Sequence, residues 1–289
     1  MDGWLLDGTA APMLPISDRG LQYGDGLFET IAVRSGTPRF LDRHIARLEA
    51  GLQALGFAAQ PGAAPISPSL TETLSQVASE VARVASGRSA GVAKVIVTRG
   101  SADRGYRPPR IPQLRRLVGW FPSTPPPRHY YVDGVELRVC STPASSNPAT
   151  AGHKTLCRLD QVLACAEWDD PDTAEGLMLD TNGHIVGGTM SNFFCLRNDR
   201  LLTPALNTCG IAGIMRAVVL EQAAAAGLAT RLVDLTLDEL RDDDELFLTN
   251  SQFGIWPVRS LAGRGRRVGP RTRDLMSRLA AVGVEECAL

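Results

Sequence analysis

The sequence predicts an α+β protein in two domains, and three observations predict it: short strand-like runs joined by tight turns, helical stretches with one apolar face, and a proline-rich segment between two halves. The chain opens with a short strand and a turn, and Leu27 to Val33 forms a second strand after Tyr23-Gly24-Asp25-Gly26. From Phe40 to Leu55 the residues Leu41, Ile45, Leu48, Leu52 and Leu55 fall on one face of a helix. A second helix is expected over Pro68 to Ala85, with Ser67 as its cap. The β-branched run Val92 to Thr98 and the segment Leu117 to Phe121 read as strands. Proline then dominates from Tyr106 to Arg128, which suits a linker. The expected division is residues 1–118, a linker at 119–128, and 129–289.

The second half opens with a strand at Val135 to Cys140, followed by the Ser145–Gly152 loop, the Lys154 segment and an alanine-rich helix from Leu159 to Trp168. Short strands follow at Leu177–Asp180, Ile185-Val186 and Phe193–Leu196. A helix over Met215–Ala226 starts just after Gly210-Ile211-Ala212-Gly213. Glu245–Thr249 is a strand, and a terminal helix covers Arg271 to Val282.

Composition excludes several classes. A net charge of -1 provides no global field for nucleic acid or an anionic membrane. No run of roughly 18 apolar residues exists to span a bilayer. The start Met1-Asp2-Gly3-Trp4 lacks the basic and apolar regions of a signal peptide. Six scattered cysteines without a C-x-x-C pair, and four dispersed histidines, predict reduced and mostly buried thiols in a cytoplasm and no metal site.

Of the 30 Lys+Arg residues only Lys94 and Lys154 are lysine. Arginine serves almost everywhere as the generic positive charge, so a retained lysine points to chemistry that needs an amine able to lose its proton. Gly210–Gly213 leads into a helix whose first N–H groups and dipole suit an anion. Thr249-Asn250-Ser251 ends a strand with three polar side chains, a second candidate anion cradle. Arg47 lies close to the apolar face of its helix, where the alternative is a snorkelling surface arginine. Two anion cradles, an arginine and a rare amine suggest a phosphorylated aldehyde cofactor.

The run from Asp18 to Thr30 (DRGLQYGDGLFET) resembles the N-terminal signature of the fold-type-IV, branched-chain-aminotransferase-like pyridoxal-phosphate enzymes. His44-Ile-Ala-Arg47-Leu48, Lys94 to Gly100, Arg104-Gly-Tyr106, Gly152 to Leu159, Gly188 to Phe194, Gly210 to Arg216 and Phe247 to Ser251 follow in that family's order, over nearly the whole chain. The resemblance implies a two-domain fold like that of D-amino acid aminotransferase. It implies pyridoxal 5′-phosphate as cofactor, carried covalently on Lys154. Arg47, Ser251 and the backbone N–H groups of Ile214 and Met215 would hold the phosphate, and Ile211 would pack on the ring. Lys94, in a strand where the family often has a basic residue, would be structural.

Thr30 in Phe28-Glu29-Thr30, where transaminases of the family usually have glycine, and Arg104-Gly-Tyr106 resemble the lyase branch. That branch converts 4-amino-4-deoxychorismate to 4-aminobenzoate, a folate precursor, and pyruvate. Lys154 and Thr30 would be catalytic. Thr30 and Arg104 would meet the substrate's carboxylates, with Arg104 from the neighbouring subunit of a homodimer whose active site lies near the interface. One position departs from the pattern: Gly187 stands where the family carries a glutamate paired with the pyridine nitrogen. A neutral pyridine is a poorer electron sink, which favours an elimination driven by aromatisation over transamination. The alternatives are a D-amino-acid or branched-chain aminotransferase, or a catalytically impaired homologue that binds the cofactor.

Overall fold

The structure is a computed structural model that describes residues 3–10, 13–58 and 62–289; Met1 and Asp2, read above for their charge, lie outside it. Its fold is α+β, and it divides into two compact units. The N-terminal unit takes residues up to Thr124 together with His153–Cys157, and the C-terminal unit takes Pro125–Gly152 and Arg158–Leu289.

The N-terminal unit contains β1 (Trp4–Leu6), β2 (Thr9–Ala10), α1 (Arg19–Tyr23), β3 (Gly26–Arg34), β4 (Thr37–Pro38), α2 (Leu41–Ala54), α3 (Leu70–Ala85), β5 (Ala90–Thr98) and β6 (Arg115–Pro122). The strands form an antiparallel sheet in the order β2-β1-β6-β5-β3-β4. Side chains alternate across a strand, so Leu27, Glu29, Ile31 and Val33 are buried while Phe28 and Thr30, on the opposite face, are half-buried. Helix α2 delivers the predicted apolar face: Leu48 and Leu52 are buried in the core, with Leu41, Ile45 and Leu55 packed against it. Helix α3 starts two residues later than expected. Its cap is Ser69 rather than Ser67, because only Ser69 has an acid three residues on. Glu72 N–H donates to Ser69 Oγ at 3.2 Å, and Ser69 N–H donates to Glu72 Oε2 at 2.7 Å.

The C-terminal unit contains α4 (His129–Val132), β7 (Val135–Val139), α5 (Leu159–Cys165), β8 (Thr173–Leu179), β9 (Ile185–Gly188), β10 (Asn192–Arg197), β11 (Arg200–Thr203), α6 (Ile214–Ala225), β12 (Ala229–Leu232), β13 (Glu245–Asn250), β14 (Gly254–Leu261), β15 (Arg264–Gly265) and α7 (Pro270–Ala281). Its sheet runs β12-β11-β10-β13-β14-β7-β8-β9, with parallel pairs at β11–β12, β14–β7 and β7–β8. Stacked Phe194 and Phe247, with centroids 4.9 Å apart on the paired strands β10 and β13, are fully buried there.

Two boundaries differ from expectation. The proposed linker began at residue 119, inside β6, which continues to Pro122 because its ladder with β5 extends to the pair Gly91–Pro122. His153–Cys157 belongs with the N-terminal unit because it pairs with the start of β3. Phe28 N–H donates to the Lys154 carbonyl, and Leu156 N–H to the Gly26 carbonyl, both at 3.0 Å. The thiols also differ in part: Cys140, Cys195, Cys209 and Cys287 are buried and unbridged, while Cys157 and Cys165 are exposed. Among the described residues no group of acids, histidines and cysteines could hold a metal, and no helix is long and apolar enough to cross a membrane.

Candidate active site

In the N-terminal unit the strand pairing just described fixes the backbone of Lys154 against β3. Its Nζ lies 4.2 Å from the centroid of the Phe28 ring. The ammonium of Lys94 lies 5.6 Å from the same ring, and Lys94 is the cross-strand partner of Thr30. Both lysines of the chain therefore gather at one aromatic side chain, on the sheet face that carries Thr30.

Beneath that face sits a charged cluster that sequence reasoning missed. Glu29, 2% exposed, accepts from Arg47 Nε at 2.8 Å and from Arg47 Nη2, and contacts His44 Nδ1 at 2.6 Å. Burial opposes its ionisation, but the Arg47 charge and the hydrogen bonds from His44 and Arg47 prevail and hold its carboxyl down at about 2. Arg47 is thus held in place from one edge of its guanidinium and is not a snorkelling surface side chain. The missed signal was an acid in phase with Leu27, Ile31 and Val33.

Arg104 is exposed on the loop after β5. Arg19, 4% exposed, holds that loop by donating from Nη1 to the Gly105 carbonyl and from Nη2 to the Tyr106 carbonyl, both at 2.9 Å. Asp25 in turn accepts from Arg19 Nε at 2.7 Å and from Arg99 Nε at 2.8 Å. Asp18 Oδ1 accepts from the N–H groups of Gly20 and Leu21 at the start of α1. Most of the signature from Asp18 to Thr30 is scaffolding for this loop and for β3.

In the C-terminal unit, Gly213 caps α6 without a side chain, at the end where Ile214 and Met215 begin the helix. A Cβ on Gly213 would lie 2.1 Å from Asn192 Oδ1, so only glycine permits this approach. Asn192 Nδ2 also donates to the Ile211 carbonyl at 2.8 Å. Ala212 N–H donates to the Gly152 carbonyl at 2.9 Å, and Lys154 is two residues further along the chain. The second cradle is narrower than expected. Thr249 is buried with Oγ1 on the Gly254 carbonyl, and Asn250 Oδ1 accepts from Gln252 and Phe253 N–H, which leaves Ser251 half-buried at the turn. Asn192 faces Thr249 across β10 and β13, so one residue joins the Ile211–Gly213 loop to the strand that ends at Ser251.

A Cβ on Gly187 would lie 2.7 Å from the Ser191 carbonyl oxygen, which leaves no room for glutamate. Glu175, 0% exposed, lies instead beneath the 188–191 turn, where its carboxylate accepts from Thr189 and Ser191.

These residues fit a phosphorylated aldehyde cofactor by their chemistry. The N-terminal unit presents a primary amine on a fixed backbone and an arginine held by a buried acid. The C-terminal unit presents a helix start capped only by glycine. The amino-transferase class IV family model matches residues 26–261, and the chain belongs to that family of fold-type-IV, pyridoxal-phosphate-dependent enzymes. It is 32% identical over 281 residues to the aminodeoxychorismate lyase of Vibrio harveyi, across 95% of this chain and 98% of that one. The solved 4-amino-4-deoxychorismate lyase of Pseudomonas aeruginosa is 43% identical with a TM-score of 0.88, across 97% of this chain and 99% of that one. The D-alanine aminotransferase of Bacillus licheniformis is 29% identical over 269 residues, across 91% and 89%.

Proposed function

We propose that the chain converts 4-amino-4-deoxychorismate to 4-aminobenzoate and pyruvate, with pyridoxal 5′-phosphate carried on Lys154. The observation that carries this reading is the grouping of Lys154, Lys94 and Thr30 about Phe28. A substrate with two carboxylates calls for two cationic or hydroxyl donors beyond the reacting amine, and Lys94 and Thr30 are such donors. A branched-chain or alanine substrate has one carboxylate and would leave a cation over an apolar side chain. The resemblance in sequence and structure to two lyases of this name supports the same choice.

When bound, the cofactor supplies an electron sink conjugated to the substrate's nitrogen. The chain's part is to bind, orient and move protons. Arg47, steadied by Glu29, would hold the phosphate, as would Ser251 and the N–H groups of Ile214 and Met215, and Ile211 would pack on the ring. Lys154 Nζ would take the proton from C4 of the substrate. The C–O bond to the enolpyruvyl group then breaks, and protonation of its methylene gives pyruvate, so no water, oxidant or amino acceptor is consumed. Thr30 and Lys94 orient the substrate. Arg104 contributes across a homodimer, since its loop is anchored through Gly105 and Tyr106 and its side chain is exposed.

The test has two parts. Borohydride reduction followed by peptide mass spectrometry should place the cofactor on Lys154, and Lys154→Arg should lose both the adduct and turnover. Pyruvate should be released from 4-amino-4-deoxychorismate with no amino acceptor present. An adduct on Lys94, or transamination of D- or L-alanine faster than pyruvate release, would overturn the reading.

A further inference from the structure

Glu175 on β8 is a buried acid that the proposed chemistry does not use. Its oxygens accept from Gly176 N–H at 3.1 Å, Thr189 N–H at 3.2 Å, Thr189 Oγ1 at 2.5 Å, Met190 N–H at 3.2 Å and Ser191 Oγ at 3.0 Å. Among the described residues no cation pairs with it. Cys165 Sγ donates to Thr189 Oγ1 at 3.2 Å, which commits the threonine proton to the carboxylate. The carboxylate lies so close under the chain that a Cβ on Gly188 would be 2.8 Å from Oε2. The turn is also closed on itself, since Gly188 N–H donates to the Ser191 carbonyl at 2.8 Å.

Two paths lead out of this turn. The Met190 carbonyl accepts from Asn250 Nδ2 at 3.3 Å, and Asn250 Oδ1 shapes the turn around Ser251 through Gln252 and Phe253 N–H. Asn192, the residue after Ser191, holds the Ile211 carbonyl and abuts Gly213 at the start of α6. Each path begins at, or one residue from, a group that Glu175 holds.

We propose that Glu175 is a positioning residue for the cofactor phosphate, setting both the Ser251 turn and the α6 start through the Thr189–Ser191 turn. This rests on the proposed assignment of those two loops to the phosphate. Glutamine cannot replace the acid here, because its amide N–H₂ would face donors. Burial pushes the carboxyl above its ordinary value against the hydrogen bonds from Thr189, Met190, Gly176 and Ser191, so the site retains an ionisable group where a neutral one would be easier to bury. A merely packed turn needs no such acid.

The experiment titrates apoprotein with pyridoxal 5′-phosphate and follows thermal unfolding of the same apoprotein. Four variants are compared: Glu175→Gln, Thr189→Val, Thr189→Ser and, as a stability control on α7, Leu279→Ala. Expected are a Kd raised at least tenfold by Glu175→Gln, several-fold by Thr189→Val, and restored to within about twofold of wild type by Thr189→Ser, the conservative variant that keeps the hydroxyl. Leu279→Ala should lower Tm at least as much with an unchanged Kd. Should Glu175→Gln fail to fold, the contrast between Thr189→Val and Thr189→Ser decides. A Kd that follows Tm across all variants, or that stays at the wild-type value in Thr189→Val, overturns the positioning role. Wild-type protein that binds no pyridoxal phosphate overturns the assignment of the loops themselves, a result distinct from normal wild-type binding with unaffected variants.

Discussion

Glu29 and Glu175 are both strand glutamates with almost no exposure, 2% and 0%, yet their surroundings treat the charge in opposite ways. Glu29 lies between an arginine and a histidine, and its carboxyl is held down at about 2. Glu175 meets only hydroxyls and backbone N–H groups, and burial prevails to raise it. Five neutral hydrogen bonds do less for a buried carboxylate than one guanidinium with a histidine beside it, because a full opposite charge acts at longer range and with greater strength than dipoles. The N-terminal unit uses its acid to hold a cation in place. The C-terminal unit uses its acid to gather donors into a turn.

Truncation should separate the two most. Glu29→Ala leaves the half-buried Arg47 and the buried His44 beside an empty site and should cost on the order of 3 kcal/mol of stability by chemical denaturation. A loss under about 1 kcal/mol would mean that the cluster relaxes into solvent, and the contrast would fall.

Acid should act on them with opposite sign. The folded value of Glu29 lies below its ordinary 4.5, so its stabilisation is whole above that pH and is lost as pH falls toward about 2. The shift corresponds to about 3 kcal/mol. Glu175 is raised, so its contribution is greatest at low pH and declines as pH rises through its folded value. Difference curves of stability against pH for Glu29→Gln and Glu175→Gln should therefore slope in opposite directions, and parallel curves would refute the assignment.

Smaller effects sharpen the comparison. Gly187→Glu should lose roughly 1–3 kcal/mol by overpacking against the Ser191 carbonyl and should gain no transaminase activity, since the side chain has no room to enter. Glu175→Gln should cost about 1–3 kcal/mol, the usual penalty for donors left unmet. Thr30→Ala and Arg104→Ala lie outside both acid clusters. Each should change stability by less than about 0.5 kcal/mol while raising KM for 4-amino-4-deoxychorismate and leaving cofactor affinity unchanged. Loss of cofactor in either variant would place it with the phosphate ligands instead.

Much of this was legible in the sequence because it depends on local periodicity or on the order of motifs. The apolar face of α2 needs only a 3.6-residue repeat, and Leu48 and Leu52 occupy it as predicted. The glycine-bearing entry to α6 needs only a turn before a helix. The strand β14 is absent from the sequence reading, and its pairing with β13 and β7 depends on partners elsewhere in the chain.

What the sequence by itself determined was the class: two α+β units, the rare amine at 154, and the ordered motifs that place the chain in its family. Only the tertiary structure decided that Lys94 shares a ring with Lys154, that Thr249 turns inward while Ser251 does not, and that Glu29 and Glu175 serve opposite ends. Each of those outcomes depends on which strand lies across from which. A sequence states a residue's charge, but its partners across a sheet lie tens of residues away, and they set whether that charge is neutralised, displaced or put to use.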